Sequence, residues 1–222
     1  MTMAGGFAQQ LKRLMRSIIT GSTSTAQDAR LVPTYVAEYT NPVVADVDAI
    51  IATLGSTAGI QTLTGASLDG VVGAGAIPHP RNLVIVLSSH VDWDATTAVI
   101  IGTDIDGAAL SEDFAIPNAG NATVTGAKAF KTVTSVVIPA QSGTGGTATI
   151  GTGIKMGLPK LAKARAGNVN VFSEIGANSP VGVTGTFVGP ATGLPYGTYA
   201  PSSAADGTKD YCVTYEIDPA GA

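Results

Sequence analysis

Four carboxylates crowd around one glycine in GTDIDGAALSEDF, residues 102–114: Asp104, Asp106, Glu112 and Asp113 flank Gly107. Side chains of this type and spacing do two kinds of chemistry. They hold a hard cation such as calcium through oxygen ligands, or they act as an acid and base pair on a glycosidic bond. The calcium pattern fails at both ends. With Gly107 at the sixth position of an EF-hand loop, the first position falls on Gly102, which has no ligand. The twelfth falls on Asp113, where a bidentate glutamate belongs. The flanks TTAVII and ALSEDFAI have strand composition, whereas an EF-hand loop joins two helices. A catalytic pair needs an apolar setting to raise the acid's pKa and aromatic rings to stack on the sugar, and the neighbourhood supplies neither. The stretch reads instead as a β-hairpin, with Asp106-Gly107 as a two-residue type I′ turn and the glycine supplying the positive φ.

The other reactive residue types are sparse. His79 sits in IPHPR, an extended loop between prolines, and His90 ends a strand. Together with Asp92 or Asp94 they lack the spacing of a metal site, and both read as surface histidines. The single cysteine, Cys212, excludes a disulfide framework and a cysteine zinc site. Its place in an alternating stretch makes it a half-buried structural thiol rather than a nucleophile. No G-x-S-x-G elbow is present. The stretch SGTGGTATIGTGIKMG lacks the G-x-x-x-x-G-K-[ST] of a phosphate loop, with Lys155 wrongly placed for it, and the G-x-G-x-x-G of a dinucleotide fingerprint; it reads as a turn and an edge strand. Trp93, the only tryptophan, lies between Asp92 and Asp94 in HVDWDATT. The usual burial of tryptophan makes it a cap over the end of a sandwich. The alternative is an exposed ring that stacks on a glycan or a partner. No catalytic set, metal site or cofactor site is expected, so the chain is not read as an enzyme.

Composition sets the class. Charged residues are 13% of the 222, about half the usual share. Hydrophobic residues are 45%, enough for a real core, and 28 Gly with 12 Pro fit short strands joined by turns. A net charge of −4 and a pI near 5.0 exclude a general nucleic-acid binder. No apolar run is long enough to span a bilayer. Near the N-terminus Lys12, Arg13 and Arg16 are interleaved with apolar residues instead of preceding an apolar block. This opposes a secretory signal and implies folding in a cytoplasm.

Residues 1–56 read as an arm with two short helices. In the first, residues 5–19, Phe7, Leu11, Leu14, Met15 and Ile18 recur at helical spacing, with Lys12, Arg13 and Arg16 on or beside the other face. Such a helix packs on its own domain, docks on another subunit, or lies at a membrane interface. The polar GSTSTAQDAR detaches everything before Leu31. The second helix is expected over residues 42–54: Asn41 caps it, Pro42 takes the first position, and Val44, Val47, Ile50, Ile51 and Leu54 share a face. From residue 57 to 157 the pattern is strands: NLVIVLSS, TTAVIIGTD, GAALSEDFAI, ATVTG, KTVTSVVIPA and TATIGTG, at the spacing of a sandwich. A basic linker with Lys155, Lys160, Lys163 and Arg165 follows. Residues 158–222 hold further strands, NVNVF, VGVTGTFV and KDYCVTYEI, as part of the same domain or as a small second one. In the last, Tyr211, Val213, Tyr215 and Ile217 share a face. The expected class is mainly β: an Ig-like antiparallel β-sandwich with an N-terminal helical arm and extra C-terminal strands.

RNLVIVLSSHVDWDATTAVIIGTDIDGAALSEDF, followed by AFKTVTSVVIPAQSGTGGTATIGTGIKMGLP, resembles a module of structural proteins of tailed bacteriophages. The resemblance covers roughly residues 80–160. It implies a virion component, most often a head decoration (cement) protein, with the major capsid protein and copies of itself as partners. On that reading Phe7, Leu11, Lys12, Arg13, Leu14, Arg16 and Ile18 of the arm, with Tyr35 and Tyr39, are the docking residues. A tail or head–tail connector protein is the alternative within the same particle. A carbohydrate-binding module centred on Trp93 is the alternative from another class.

Overall fold

The computed structural model describes residues 34–88, 90–118, 121–160, 171–176, 185–188 and 196–217. The chain divides into Met1–Val32 and Pro33–Ala222, and every described residue belongs to the second unit. The first expected helix, with Phe7, Leu11, Lys12, Arg13, Leu14, Arg16 and Ile18, lies outside the described residues.

The described part is mainly β and antiparallel. Its strands are β1 (Thr34–Tyr39), β2 (Ile51–Gly55), β3 (Gln61–Thr64), β4 (Ala76–Ser88), β5 (Thr96–Thr103) and β6 (Ala109–Ile116), then β7 (Ala122–Ile138), β8 (Thr147–Gly157), β9 (Val171–Gly176), β10 (Thr186–Val188), β11 (Thr198–Ala200) and β12 (Tyr211–Glu216). A large sheet runs β10-β11-β8-β4-β7-β5-β6, with β2 added to β8 and β3 to β7. A small sheet runs β1-β12-β9.

The 17-residue β7 organises the large sheet. Its first half pairs with β4, Ala122 against Leu87 through Thr125 against Val84. Its second half pairs with β5 on one side and β3 on the other. One apolar core draws Ile85, Leu87 and Ile150 from β4 and β8 and Ile100, Phe114 and Val136 from β5, β6 and β7. β6 shows how sequence alternation makes this core: Leu110, Glu112, Phe114 and Ile116 point inward and the residues between them point out.

The second expected helix is absent. Residues 42–46 carry no regular secondary structure, 47–50 form a turn and a bend, and 51–55 are β2. Asn41 has φ +44, a left-handed conformation unlike that of an N-cap, and its N–H is held by Asp210. The segment then crosses over β8. Thr152 N–H donates to Asp46 O, and Ile50 N–H to Ile150 O. Four of the five residues taken for a helix face, Val44, Val47, Ile50 and Ile51, are β-branched and suit a strand. Pairing with β8 outweighs the helical spacing. β8 itself is an interior strand rather than an edge, bonded to β4 on one side and to β2 and β11 on the other. Its Gly151 allows the crossing, because a Cβ there would stand 2.0 Å from Asp46 O.

A second core underlies the small sheet: Tyr39, Met156, Leu158, Tyr199, Tyr211 and Tyr215 with smaller residues. Tyrosine hydroxyls tie it to neighbouring backbone. Tyr39 donates to Gly157 O at 2.9 Å, Tyr211 to Ser203 O at 2.8 Å and Tyr215 to Lys160 O at 3.0 Å. The Tyr199 hydroxyl accepts from Gly185 N–H at 2.7 Å. Burial, with the neighbouring tyrosines, holds the Tyr39 phenol far above its ordinary pKa, and burial also raises that of Tyr215. Both act as neutral donors.

Candidate functional site

The acidic stretch forms a hairpin, but not with the expected two-residue turn. Thr103 pairs with Ala109, and Asp104 N–H donates to Ala108 O. Gly107 N–H donates to Asp104 O, and Gly107 alone in the loop has positive φ, at +81. This is a type I turn closed by a left-handed glycine, the three-residue hairpin loop. The Asp104 carboxylate stabilises it by accepting from Asp106 N–H at 3.0 Å and Ala108 N–H at 2.9 Å. Asp106 receives the Tyr196 hydroxyl, which binds the C-terminal segment to the hairpin tip. No atom lies within 4 Å of a Cβ built on Gly107, so Gly107→Ala incurs backbone strain alone. A loss of about 1–2 kcal/mol is expected in denaturant titration. Gly107→Asn should lose less, because asparagine tolerates this conformation.

The four carboxylates do not converge. Glu112 points into the core and Asp113 points to solvent from the opposite face of β6. The groups that Glu112 meets belong to a polar centre formed with Arg81 and Asn82. Both strands beside β4 carry extra residues here. As β4 advances from Asn82 to Val84, β7 runs from Ala129 back to Thr125. As β4 advances from Arg81 to Leu83, β8 runs from Met156 back to Thr152. These bulges free backbone groups inside the protein, where an unpaired group is costly.

Three side chains supply the missing partners. Glu112 accepts from Ala127 N–H at 2.6 Å and from Lys128 N–H at 3.2 Å. Asn82 donates to Gly126 O at 3.2 Å and accepts from Lys155 N–H at 2.9 Å, so one amide joins both bulges. Arg81 donates to Gly153 O at 3.1 Å and to Val43 O. Gly126 and Gly153 make room, since a Cβ would fall 2.6 Å from the Glu112 carboxylate or 2.5 Å from the Asn82 amide. β6 alternation puts Glu112 on the same face as Leu110 and Phe114, and that was the signal in the sequence for a buried acid. Arg81 and Asn82, beside PHP and ahead of LVIVL, gave no such signal.

Burial raises the Glu112 pKa above its ordinary value, while the two backbone N–H donors and nearby lysines pull it back in part. An acid with a raised folded-state pKa binds its proton more tightly in the folded chain. Its stabilising contribution is complete below the unfolded value, roughly pH 4.3. It is lost as pH rises through the folded value. Stability should therefore fall across the window just above roughly pH 4.3. Glu112→Gln should flatten that slope, as read from urea midpoints at several pH values. An unchanged slope in the variant would assign the dependence elsewhere.

Trp93 is fully buried at 0% exposure, and its indole N–H donates to Ser88 O at 3.0 Å. It is the cap over the core, and a ring so enclosed cannot stack on a glycan. The glycine-rich stretch before β8 fits around it: a Cβ on Gly146 would lie 2.5 Å from the indole nitrogen, and one on Gly143 2.1 Å from the Asp92 carboxylate. Asp94 closes the same loop on Ser142, accepting from its N–H at 2.7 Å. Tyr39, expected at a docking surface, is a core residue, and Tyr35 is half-buried against the Tyr215 ring at 5.9 Å. His79 lies in β4 rather than in a loop, half-buried, with its Nε2 3.0 Å from Thr40 O and its ring near Tyr39. Burial raises the Cys212 thiol pKa, the opposite of what a nucleophile needs. Among the described residues no group of three His, Cys, Asp or Glu could hold a metal ion. No helix among them is long and apolar enough to cross a membrane.

The unspent surface lies beside Arg81. The segment at 43–46 and the loop at 71–72 border a groove of about 450 Å³. Val43, Val44, Val71, Val72 and Ile77 make it apolar, and Asp46 and Arg81 also line it. Its rim is exposed: Val71 is 84% and Val44 58% accessible, and Val47 is exposed nearby. Val43 is exposed as well, so apolar side chains gather in water around this groove. A scan against protein-family models, a search of curated proteins and a search of solved structures each return no match to this chain.

Proposed function

We propose that this chain is a virion structural protein of a tailed bacteriophage, a decoration (cement) protein that binds the head shell and acts by burying surface against other subunits. The observation that carries an assembly role is the contrast between the interior and the groove. The buried polar side chains Arg81, Asn82, Asp104 and Glu112 bind the chain's own backbone, while exposed valines gather around one apolar groove. Chemistry at the first group would dismantle the fold, and burial of the second needs a partner. The resemblance of residues 80–160 to phage structural modules supplies the particle. An Ig-like sandwich, with two strand sets over one core, is the finer description of the fold that this reading carries. The arm, through Phe7, Leu11, Leu14 and Ile18, would anchor the chain, with copies of itself as neighbours on the particle.

Deletion of residues 1–30 tests the arm. The truncated chain should keep its melting transition and lose binding to undecorated heads in a co-sedimentation assay. Retained binding would refute the arm's role and leave the groove as the docking element.

A further inference from the structure

The groove beside Arg81 has a definite chemistry. Its walls are aliphatic, which favours an apolar occupant. Arg81, only 2% exposed, brings a guanidinium to it whose observed partners are two neutral carbonyls, Gly153 O and Val43 O. Among the described residues the ion pair is Lys209 with Asp206, remote in sequence from the groove, so Arg81 has no carboxylate counterpart. The Asp46 carboxylate accepts from Asp48 N–H. A buried cation without an anion is costly, and an incoming carboxylate would offset that cost.

The backbone next to the guanidinium is open as well. Residues 42–46 belong to no helix or strand. Asp46 bonds to Thr152 and Val43 O to Arg81, but no hydrogen bond among the described residues reaches the backbone of Val44 or Ala45. A backbone stretch outside any sheet, beside an apolar trough, can accept an added strand. The exposed rim at Val44 and Val71 calls for an occupant that covers more surface than a small molecule inside the trough would.

We propose that this groove docks an extended, apolar segment of a partner protein carrying an aspartate or glutamate, its backbone pairing with Val44 and Ala45 and its carboxylate meeting Arg81. The proposal deepens the assembly reading and rests on it for the existence of a partner. Its test is independent of any particle. The full chain, labelled with nitrogen-15, is titrated with acetylated and amidated hexapeptides of sequence Val-Thr-Val-Glu-Val-Thr and with versions carrying Gln or Lys in place of Glu. The Glu peptide should shift the amide resonances of Val44 and Ala45 and the Arg81 Nε–H resonance in a saturable way. The Lys peptide should bind at least tenfold more weakly. Val44→Asp, at an exposed position, should weaken the Glu peptide at least tenfold while leaving the remaining spectrum in place. Equal binding of the Glu and Lys peptides, no saturable shift, or self-association through Val44 with no response to peptide would each overturn the proposal. A chain absent from virions would overturn the assembly reading and leave the peptide result standing.

Discussion

Trp93→Ala is expected to destabilise the chain by about 3–5 kcal/mol, a large fraction of the total for a single domain. The indole is completely enclosed, and its removal leaves a cavity walled by the glycine-rich loop before β8. The loop cannot close the space easily. Its position is fixed by Asp94, which holds Ser142, and by Gln141, whose side-chain oxygen accepts from Asp94 N–H at 2.7 Å. Trp93→Phe keeps most of the apolar volume and loses the hydrogen bond to Ser88 O, so it should cost less than alanine. Because Trp93 is the only tryptophan, its emission reports directly on burial and should be blue-shifted in the native chain and red-shifted in urea. A loss below about 1 kcal/mol for Trp93→Ala would contradict the enclosed position, since fully burying a large side chain is worth more than that.

Asn82→Ala is the second large effect. It orphans the Gly126 carbonyl on one side and the Lys155 N–H on the other, at the two bulges the fold depends on. Each orphaned buried group costs about 1–3 kcal/mol, so a total of about 2–6 kcal/mol is expected in urea unfolding. Asn82→Asp separates the hydrogen bonds from the volume. The shape is kept and Lys155 N–H still finds an acceptor. The other oxygen now faces Gly126 O, and the site acquires a buried negative charge. At neutral pH this variant should be at least as unstable as alanine, and acid should restore part of the loss as the new carboxyl takes up a proton and becomes a donor. An aspartate variant as stable as the wild type at pH 7 would mean that Asn82 does not bridge the bulges.

The sequence carried β12 and the strands of the β5–β6 hairpin plainly, because period-two alternation survives wherever one face of a strand is buried. KDYCVTYEI placed Tyr211, Val213 and Tyr215 on one face, and they are the heart of the second core. GAALSEDFAI gave β6 at nearly its observed bounds. The failures have physical causes. Residues 42–54 carry apolar side chains at helical spacing, yet their backbone is claimed by β8 across some hundred residues of chain, a pairing no local window contains. ATVTG and KTVTSVVIPA read as two strands because Gly126 and the non-β-branched AKAF after it interrupt the strand pattern. They are one strand, bent by a bulge whose polar groups are satisfied by Glu112 from elsewhere. Tyr39, expected at a docking surface, is buried for a related reason. An aromatic residue near a chain end resembles a free anchor until its own sheet, formed with β12 from the far end of the sequence, covers it. The groove was not legible either. Val43, Val44 and Val71 look like core residues in sequence, and only the course of the folded chain leaves them in water.

The central claim is that this chain works by covering other subunits of a phage head. The most direct measurement takes purified particles of the phage proposed to encode the chain, separates them into heads and tails, and quantifies the chain in each fraction by mass spectrometry. The account predicts the chain in heads, at a copy number comparable with that of the capsid subunit. Its presence in tails at low copy, or its absence from both fractions, would contradict the account.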